Sequence, residues 1–269
     1  MDLSIIITSY KNPQLLKVCL DSVKKNIGKL SFEIIVVDSQ TQEDTEMIMR
    51  EDYPEIKFFP FSENVGFQAL IKKGIEESSG KYLLLLNGDI IVTPSSVEKM
   101  LEFISSDSSV GMVGPKLLNF DGSLQYSCFR FYHPITIVYR RTFLGHFAFA
   151  KKHLDWFLMK DRNHDEIMDV DWLMGSSLMI SRSVVQKVGL MDAGYFMYME
   201  DVDWCRRFWE NGYRVVYYPL ATMHHYHGKV SDKGSVIKSL FLNKMTWVHI
   251  FSAVRYFKKF WNKQVPNHQ

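Results

Sequence analysis

The feature that most constrains this chain is a run of short strands that are apolar on both faces. Leu3–Thr8, Phe32–Val37, Ile56–Phe59 and Tyr82–Leu86 show little polar alternation, and helical spacing separates them. A strand with one face in water alternates apolar and polar residues; one buried on both faces does not, which predicts a mostly parallel sheet flanked by helices. The separators carry helix signals. Asn12-Pro13 supplies a cap and a favoured first helical residue, Leu15, Leu16, Cys19, Leu20, Val23 and Ile27 follow at helical spacing, and Gly28 ends the run. Phe67–Ser78 and a segment from Thr93-Pro94 through Ile104 read as further helices.

The second half is less regular. From Phe129 to Lys160 the chain is aromatic and basic without clear period; Asp169–Ser181 reads as a strand, followed by a short helix. A helix from about Met199 to Asn211, a strand Tyr213–Tyr218 and a long terminal helix over 235–262 complete the pattern. No repeat or linker interrupts 269 residues, so one continuous α/β domain is expected. Within it a first half at 1–115, a second half at 116–231 and a basic aromatic extension at 232–269 are expected.

Composition enters mainly by exclusion. The net charge of +2 is too small to imply nucleic acid, and no recognition motif suggests it. Three cysteines without a CxxC pair argue against a disulfide scaffold or zinc knuckle and fit a reducing compartment. The first residues lack the basic start of a signal peptide, and no apolar run approaches the roughly 18–20 residues that span a bilayer. A cytoplasmic protein is expected, peripheral at most on the inner face of the membrane.

Ligands of open parallel sheets bind beyond the carboxyl ends of the strands. Three polar clusters fall there: Thr8-Ser9-Tyr10, Asp38 and Asn87-Gly88-Asp89. The GxGxxG fingerprint is absent, which speaks against hydride transfer. Asp89 suits a hard divalent cation carrying a diphosphate, and Asn64-Val65-Gly66 precedes a helix whose N–H groups can meet an anion. Glu200 and Asp201 are either first-turn acids favoured by the helix dipole or a pair containing a general base, beneath a wall of Tyr195, Phe196 and Tyr198. His224, His225 and His227 form a cluster that can contribute to a metal site.

In order along the chain, SIIITSY (4–10), EIIVVDSQT (33–41), ENVGF (63–67), KYLLLLNGD (81–89), DWLMGSSLMISR (171–182), VGLMDAGYFMYMEDVDWCRR (188–207) and NGYRVVYYPLATMHH (211–225) resemble the family 2 glycosyltransferases. The likeness is to their bacterial rhamnosyltransferase-like branch with the GT-A fold. It implies an inverting, metal-dependent transferase with a nucleotide-sugar donor. By the same resemblance Thr8, Tyr10 and Asp38 hold the nucleoside, Asn64 and Gly66 lie near the phosphates, and Asn87 and Asp89 occupy the DxD position. Asn87 replaces the first Asp and Gly88 stands where Pro is usual. Asp89 and, among the three histidines, best His225 are expected near Mg²⁺ or Mn²⁺. Asp201 is the expected base, with Glu200 as substitute, and Trp172, Gly175 and Ser176 are expected on the acceptor side.

The implied reaction moves a sugar, first candidate dTDP-rhamnose, to a polyprenyl-diphosphate-linked precursor of a surface polysaccharide such as O-antigen. A UDP- or GDP-sugar donor, or a catalytically silent scaffold subunit, remain alternatives. From Lys233 onward the chain has no acid, and its bases are interleaved with Trp247, Phe251 and Trp261 among other aromatics. That pattern suits an interfacial helix on an anionic membrane, or one packing on its own domain or on the second subunit of a homodimer.

Overall fold

The computed structural model describes residues 1–226 and 244–266. Strand β1 (Leu3–Tyr10) lies between β2 (Phe32–Ser39) and β4 (Tyr82–Asn87), parallel to both, and β3 (Lys57–Phe61) extends the parallel set beyond β2. The apolar runs are buried as their composition requires. Side chains of β1 and β4 alternate between two cores: Ile6, Leu83 and Leu85 enter one, and Leu3, Ile5, Ile7, Leu84 and Leu86 the other.

Helix α1 (Pro13–Asn26) is capped by the Asn12 side chain, which accepts the Leu15 N–H. Helix α2 (Glu43–Asp52) has no counterpart in the sequence reading: its apolar residues Met47, Ile48 and Met49 are consecutive and give no helical period. Acids in its first turn and the buried side chains of Thr45, Ile48 and Met49 hold it. Helix α3 (Phe67–Glu76) crosses β1 so closely that a Cβ on Gly74 would overlap the Ile6 side chain. Gly74→Ala should therefore lower stability by about 1–3 kcal/mol by overpacking, despite alanine's helix preference. Thermal unfolding measures this; an unchanged or raised midpoint would mean that α3 moves aside freely.

Strand β5 (Ile90–Val92) and helix α4 (Ser96–Ser106) lead to β6 (Val110–Leu118), followed by the short β7 (Leu124–Gln125) and β8 (Cys128–Phe129). The aromatic, basic stretch folds into α5 (Pro134–Arg141), a 3-10 turn at Phe143–His146 and α6 (Ala148–Phe157). The strand expected over Asp169–Ser181 is broken into β9 (Met168–Asp169), β10 (Trp172–Leu173) and β11 (Ser177–Ser181). The chain changes sheets there: β10 pairs with β8 in a separate ribbon, whereas β11 runs antiparallel between β4 and β6. After α7 (Arg182–Val188) and α8 (Glu200–Glu210), β12 (Arg214–His225) pairs in parallel with β6. The order along the main sheet is β3-β2-β1-β4-β11-β6-β12-β5.

The expected terminal helix is described as α9 (Lys244–Phe260); its anticipated beginning, like His227, lies outside the described residues. Its inner side packs on the domain. Ala253, Tyr256 and Phe260 are buried in the core that also holds Val202 and Cys205. Lys259 pairs with Asp203 at 2.6 Å and with Asp192 at 2.7 Å, and Arg255 reaches Asp192 at 2.9 Å. The three cysteines are free and buried.

Candidate active site

The carboxyl ends of β1, β2 and β4 open into a cleft of about 280 Å³. Thr8, Ser9, Tyr10, Asn64, Gly66, Asn87, Gly88 and Asp89 line it, as do Asn12, Ser39, Phe67, Leu70 and Met197, which the sequence reading did not assign to the site. Ser39 follows Asp38, which it did name, so the strand-end position itself was its signal. Met197 comes from a distant loop, and nothing local in the sequence announces it.

Asp38 is placed differently. It is fully buried one layer behind the lining, paired across the sheet with Ser9. Its two carboxyl oxygens make no well-formed hydrogen bond, and burial pushes the carboxyl up against the weaker pull of the Thr41 and Ser9 hydroxyls. Gly66 caps α3 with φ +81, a conformation that favours glycine, and any Cβ there would strike the Phe196 carbonyl oxygen. The Gly66 N–H donates to Asn64 Oδ1 at 3.1 Å and the Phe67 N–H to the Phe196 oxygen at 3.2 Å. The two foremost amides of this helix are thus already engaged, and the anion site expected from them alone is not open.

The acidic pair sits at the start of α8, after Tyr198 and Met199, both with positive φ. Asp201 retains some accessible surface; its Oδ2 accepts the Gly175 N–H at 3.1 Å and its Oδ1 the Val202 N–H at 2.9 Å. Glu200 is only 5% exposed, and its Oε2 has no hydrogen-bond partner. Burial, then the neighbouring Asp201 charge, pushes the Glu200 carboxyl up; burial also raises Asp201, opposed by the backbone amides. Burial thus favours the protonated form of Glu200, while the Gly175 and Val202 amides favour the charged form of Asp201.

That assignment has a consequence for stability. A carboxyl raised on folding binds its proton more tightly in the native state, so stability falls as pH rises from the unfolded value toward the folded one. Glu200→Gln should therefore change the melting temperature little at about pH 4 and raise it clearly at about pH 9. Equal shifts at both pH values would show that Glu200 is not protonated on folding.

Gly175 and Ser176 connect the acidic pair to the cleft. While Gly175 donates to Asp201, the Ser176 carbonyl accepts the Asn87 N–H at 2.9 Å. A Cβ on Gly175 would stand 3.1 Å from the Phe67 ring and 3.5 Å from Asp201 Cβ, so Asp201 lies one residue behind the cleft wall. Trp172 is not brought to the cleft. It is 5% exposed, stacks on Phe129 at 4.3 Å and donates its indole N–H to the Arg130 carbonyl. The expected aromatic wall also changes: Tyr195 is fully buried with its hydroxyl donating to Asp203, and Tyr198 packs edge-on against His249 at 5.0 Å. Phe67 and Met197 take the place of those tyrosines.

The histidines separate by strand alternation. His224 Nδ1 lies 3.3 Å from the Asn119 carbonyl, whereas His225 Nε2 lies 3.4 Å from Asp89 Oδ1. His225 Nδ1 is 2.6 Å from Gln125 Oε1, an acceptor for a ring proton carried on Nδ1. In the uncharged ring, an Nε2 lone pair then faces a buried carboxylate oxygen. Among the described residues no three His, Cys, Asp or Glu side chains gather to hold a metal by themselves. One carboxylate oxygen and one imidazole nitrogen fit a divalent cation whose remaining ligands come from a bound diphosphate or water.

The sheet order, the cleft over its carboxyl ends and the antiparallel β11 define a GT-A glycosyltransferase architecture. Solved structures agree on the fold. GalNAc-T7, crystallised with UDP, GalNAc and Mn²⁺, superposes with a TM-score of 0.68 at 16% identity, covering 98% of this chain and 48% of that one. A 1–349 fragment of Staphylococcus aureus TarS gives 0.57 at 13% identity over 84% of this chain and 60% of its own. The chain thus spans about half to three-fifths of the length of these structures. The model of glycosyl transferase family 2 matches residues 4–205, and the chain belongs to that family. The N-acetylglucosaminyl-diphospho-decaprenol L-rhamnosyltransferase of Mycobacterium tuberculosis is 25% identical over 81% of this chain and 74% of its own length. The Escherichia coli rhamnosyltransferase WbbL is 26% identical over 94% and 91%.

Proposed function

We propose that the protein transfers a sugar from a nucleotide-sugar, first candidate dTDP-rhamnose, to a hydroxyl of a polyprenyl-diphosphate-linked glycan, with inversion in one displacement. The observation that carries this reading is the connection of Asn87–Asp89 to Asp201 through Gly175 and Ser176, which sets a base candidate beside a diphosphate-sized cleft. The names of the mycobacterial and E. coli relatives support rhamnose as donor sugar, and the mycobacterial name supports a lipid-diphosphate acceptor.

In this mechanism residues 1–115 bind the donor and 116–231 the acceptor. Tyr10, half exposed at the cleft, and Thr8 hold the nucleoside, while an N–H of the base or an O–H of the ribose satisfies the orphaned Asp38 carboxyl. Asn64 and Gly66 shape the cleft wall beside the phosphates. Asp89 and His225 would hold Mg²⁺ or Mn²⁺, which neutralises the charge of the departing diphosphate. The acceptor oxygen forms its bond to the anomeric carbon as the bond to the diphosphate breaks. Asp201 takes the hydroxyl proton, and Glu200, already protonated, does not compete for it. Gly175 and Ser176 remain acceptor-side residues in this reading. Phe67 and Met197 exclude water.

Among the described residues no helix is long and apolar enough to cross a membrane; with a lipid-linked acceptor, the protein works as a peripheral one at the cytoplasmic face. The test is transfer to a synthetic GlcNAc-diphosphoryl lipid from a panel of dTDP-, UDP- and GDP-sugars. Product from dTDP-rhamnose is expected. Product only from another donor would replace the sugar assignment, and none from any donor would favour a silent subunit.

A further inference from the structure

We propose that the outer side of α9, with the tip of the α5–α6 hairpin, is a docking surface for an anionic lipid bilayer. A surface helix normally buries one apolar stripe and turns a polar face to water. Helix α9 has two apolar stripes. The inner one, Ala253, Tyr256 and Phe260, is consumed by the core. Along the outer one Trp247 is 46%, Phe251 67% and Val254 59% exposed, and Trp261 beyond the helix end is 76% exposed. The spacings of four, three and seven residues align these on one side, and the Trp247 and Phe251 rings are 6.0 Å apart.

Charge selects the occupant. Lys258 is exposed in the gap between Val254 and Trp261, and no acid occurs anywhere in 244–266. A two-fold dimer through this face would set like charges against each other. An anionic headgroup layer is complementary, and indole rings settle at that depth because one edge is polar and the body apolar.

A second exposed aromatic and basic patch lies on the α5–α6 hairpin. On the hairpin, Phe143 is 68% and Phe149 59% exposed, next to exposed Lys151 and Lys152. The Arg206 guanidinium sits 5.7 Å from the Phe131 ring, just before the hairpin, and 4.2 Å from the Phe260 ring of α9. The segment leading into the hairpin and the end of α9 are thus joined through the buried Arg206. The inner side of α9 also reaches the cleft: Ser252 Oγ donates to the carbonyl of Met197, a lining residue, at 2.8 Å. Lipid binding stands independently of sugar transfer; only its use, bringing the cleft to a lipid-linked acceptor, rests on the function proposed above.

Flotation of the full chain with phosphatidylcholine vesicles, with and without phosphatidylglycerol, tests this without donor or acceptor. Binding is expected with phosphatidylglycerol and should weaken with salt. The triple variant Trp247→Ser, Phe251→Ser, Trp261→Ser should lower partitioning at least about tenfold, and Lys258→Glu about fivefold or more. Phe143→Ser with Phe149→Ser should also weaken it. All sites are exposed, so unchanged melting temperatures and nucleotide affinity will confirm that the variants are folded. Quenching of tryptophan fluorescence by brominated lipid in the parent protein gives a reading that needs no variant. Absence of binding, wild-type binding by the triple variant, or a dimer in sedimentation that the triple variant dissociates would each overturn the proposal.

Discussion

Asp201→Asn is expected to reduce transfer by about 10²–10⁴-fold while leaving nucleotide-sugar affinity within a few-fold of the parent. Asparagine preserves the shape of the side chain, and its carbonyl oxygen can still accept the Gly175 N–H that now bonds Asp201 Oδ2. What it loses is the ability to accept a proton, together with the second acceptor oxygen that now takes the Val202 N–H. The readouts are kcat for transfer and donor affinity by calorimetry. A loss confined to kcat identifies the base, whereas an equal loss in both would make Asp201 a support for the Gly175–Ser176 turn. Residual activity within tenfold of the parent would exclude it as the base. The pH profile adds a second check. Because burial raises the Asp201 carboxyl, the acid limb of kcat should lie above that of an ordinary aspartate. Glu200→Gln should keep most of the transfer activity at neutral pH, since the glutamine resembles the protonated state that the structure favours there.

The legible part of this molecule is the part whose residues are selected by burial on two faces. β1 and β4 enter both cores, so every residue along them is apolar and the strands stand out. Helix α2 was invisible because three consecutive apolar residues specify no face; its single buried turn relies on Tyr53 and Ile56 nearby rather than on its own period. Aromatic identity alone misled at the site. Tyr195 and Trp172 each have a polar atom that finds a buried partner, Asp203 and the Arg130 carbonyl, so both can be core residues despite standing in motifs that suggest a ligand wall. The choice among His224, His225 and His227 could not be made from sequence spacing, because it depends on which side of β12 faces β5. Pairing of His225 with Ile90 places its ring beside Asp89, and His224 turns to Asn119.

That placement leads to the other large effect. Asp89→Ala should lower kcat/KM by about 10²–10³-fold, the size of a lost electrostatic contact to a developing anion. His225→Ala should cost about 10–100-fold, and raising Mn²⁺ should restore much of it. The two differ because their atoms supply different things. Asp89 brings the negative charge that attracts a hard cation; His225 brings a neutral nitrogen whose orientation Gln125 fixes from behind. Titration of the nucleoside diphosphate with and without Mn²⁺ separates the effects independently of turnover. The parent should bind more tightly with metal, His225→Ala should need more metal to do so, and Asp89→Ala should show no metal dependence. If chelator-treated protein binds the diphosphate and transfers sugar as well as the metal-supplemented protein, Asp89 and His225 are a structural pair. The leaving-group charge would then have to be met by the polar groups at the ends of β1, β2 and β4.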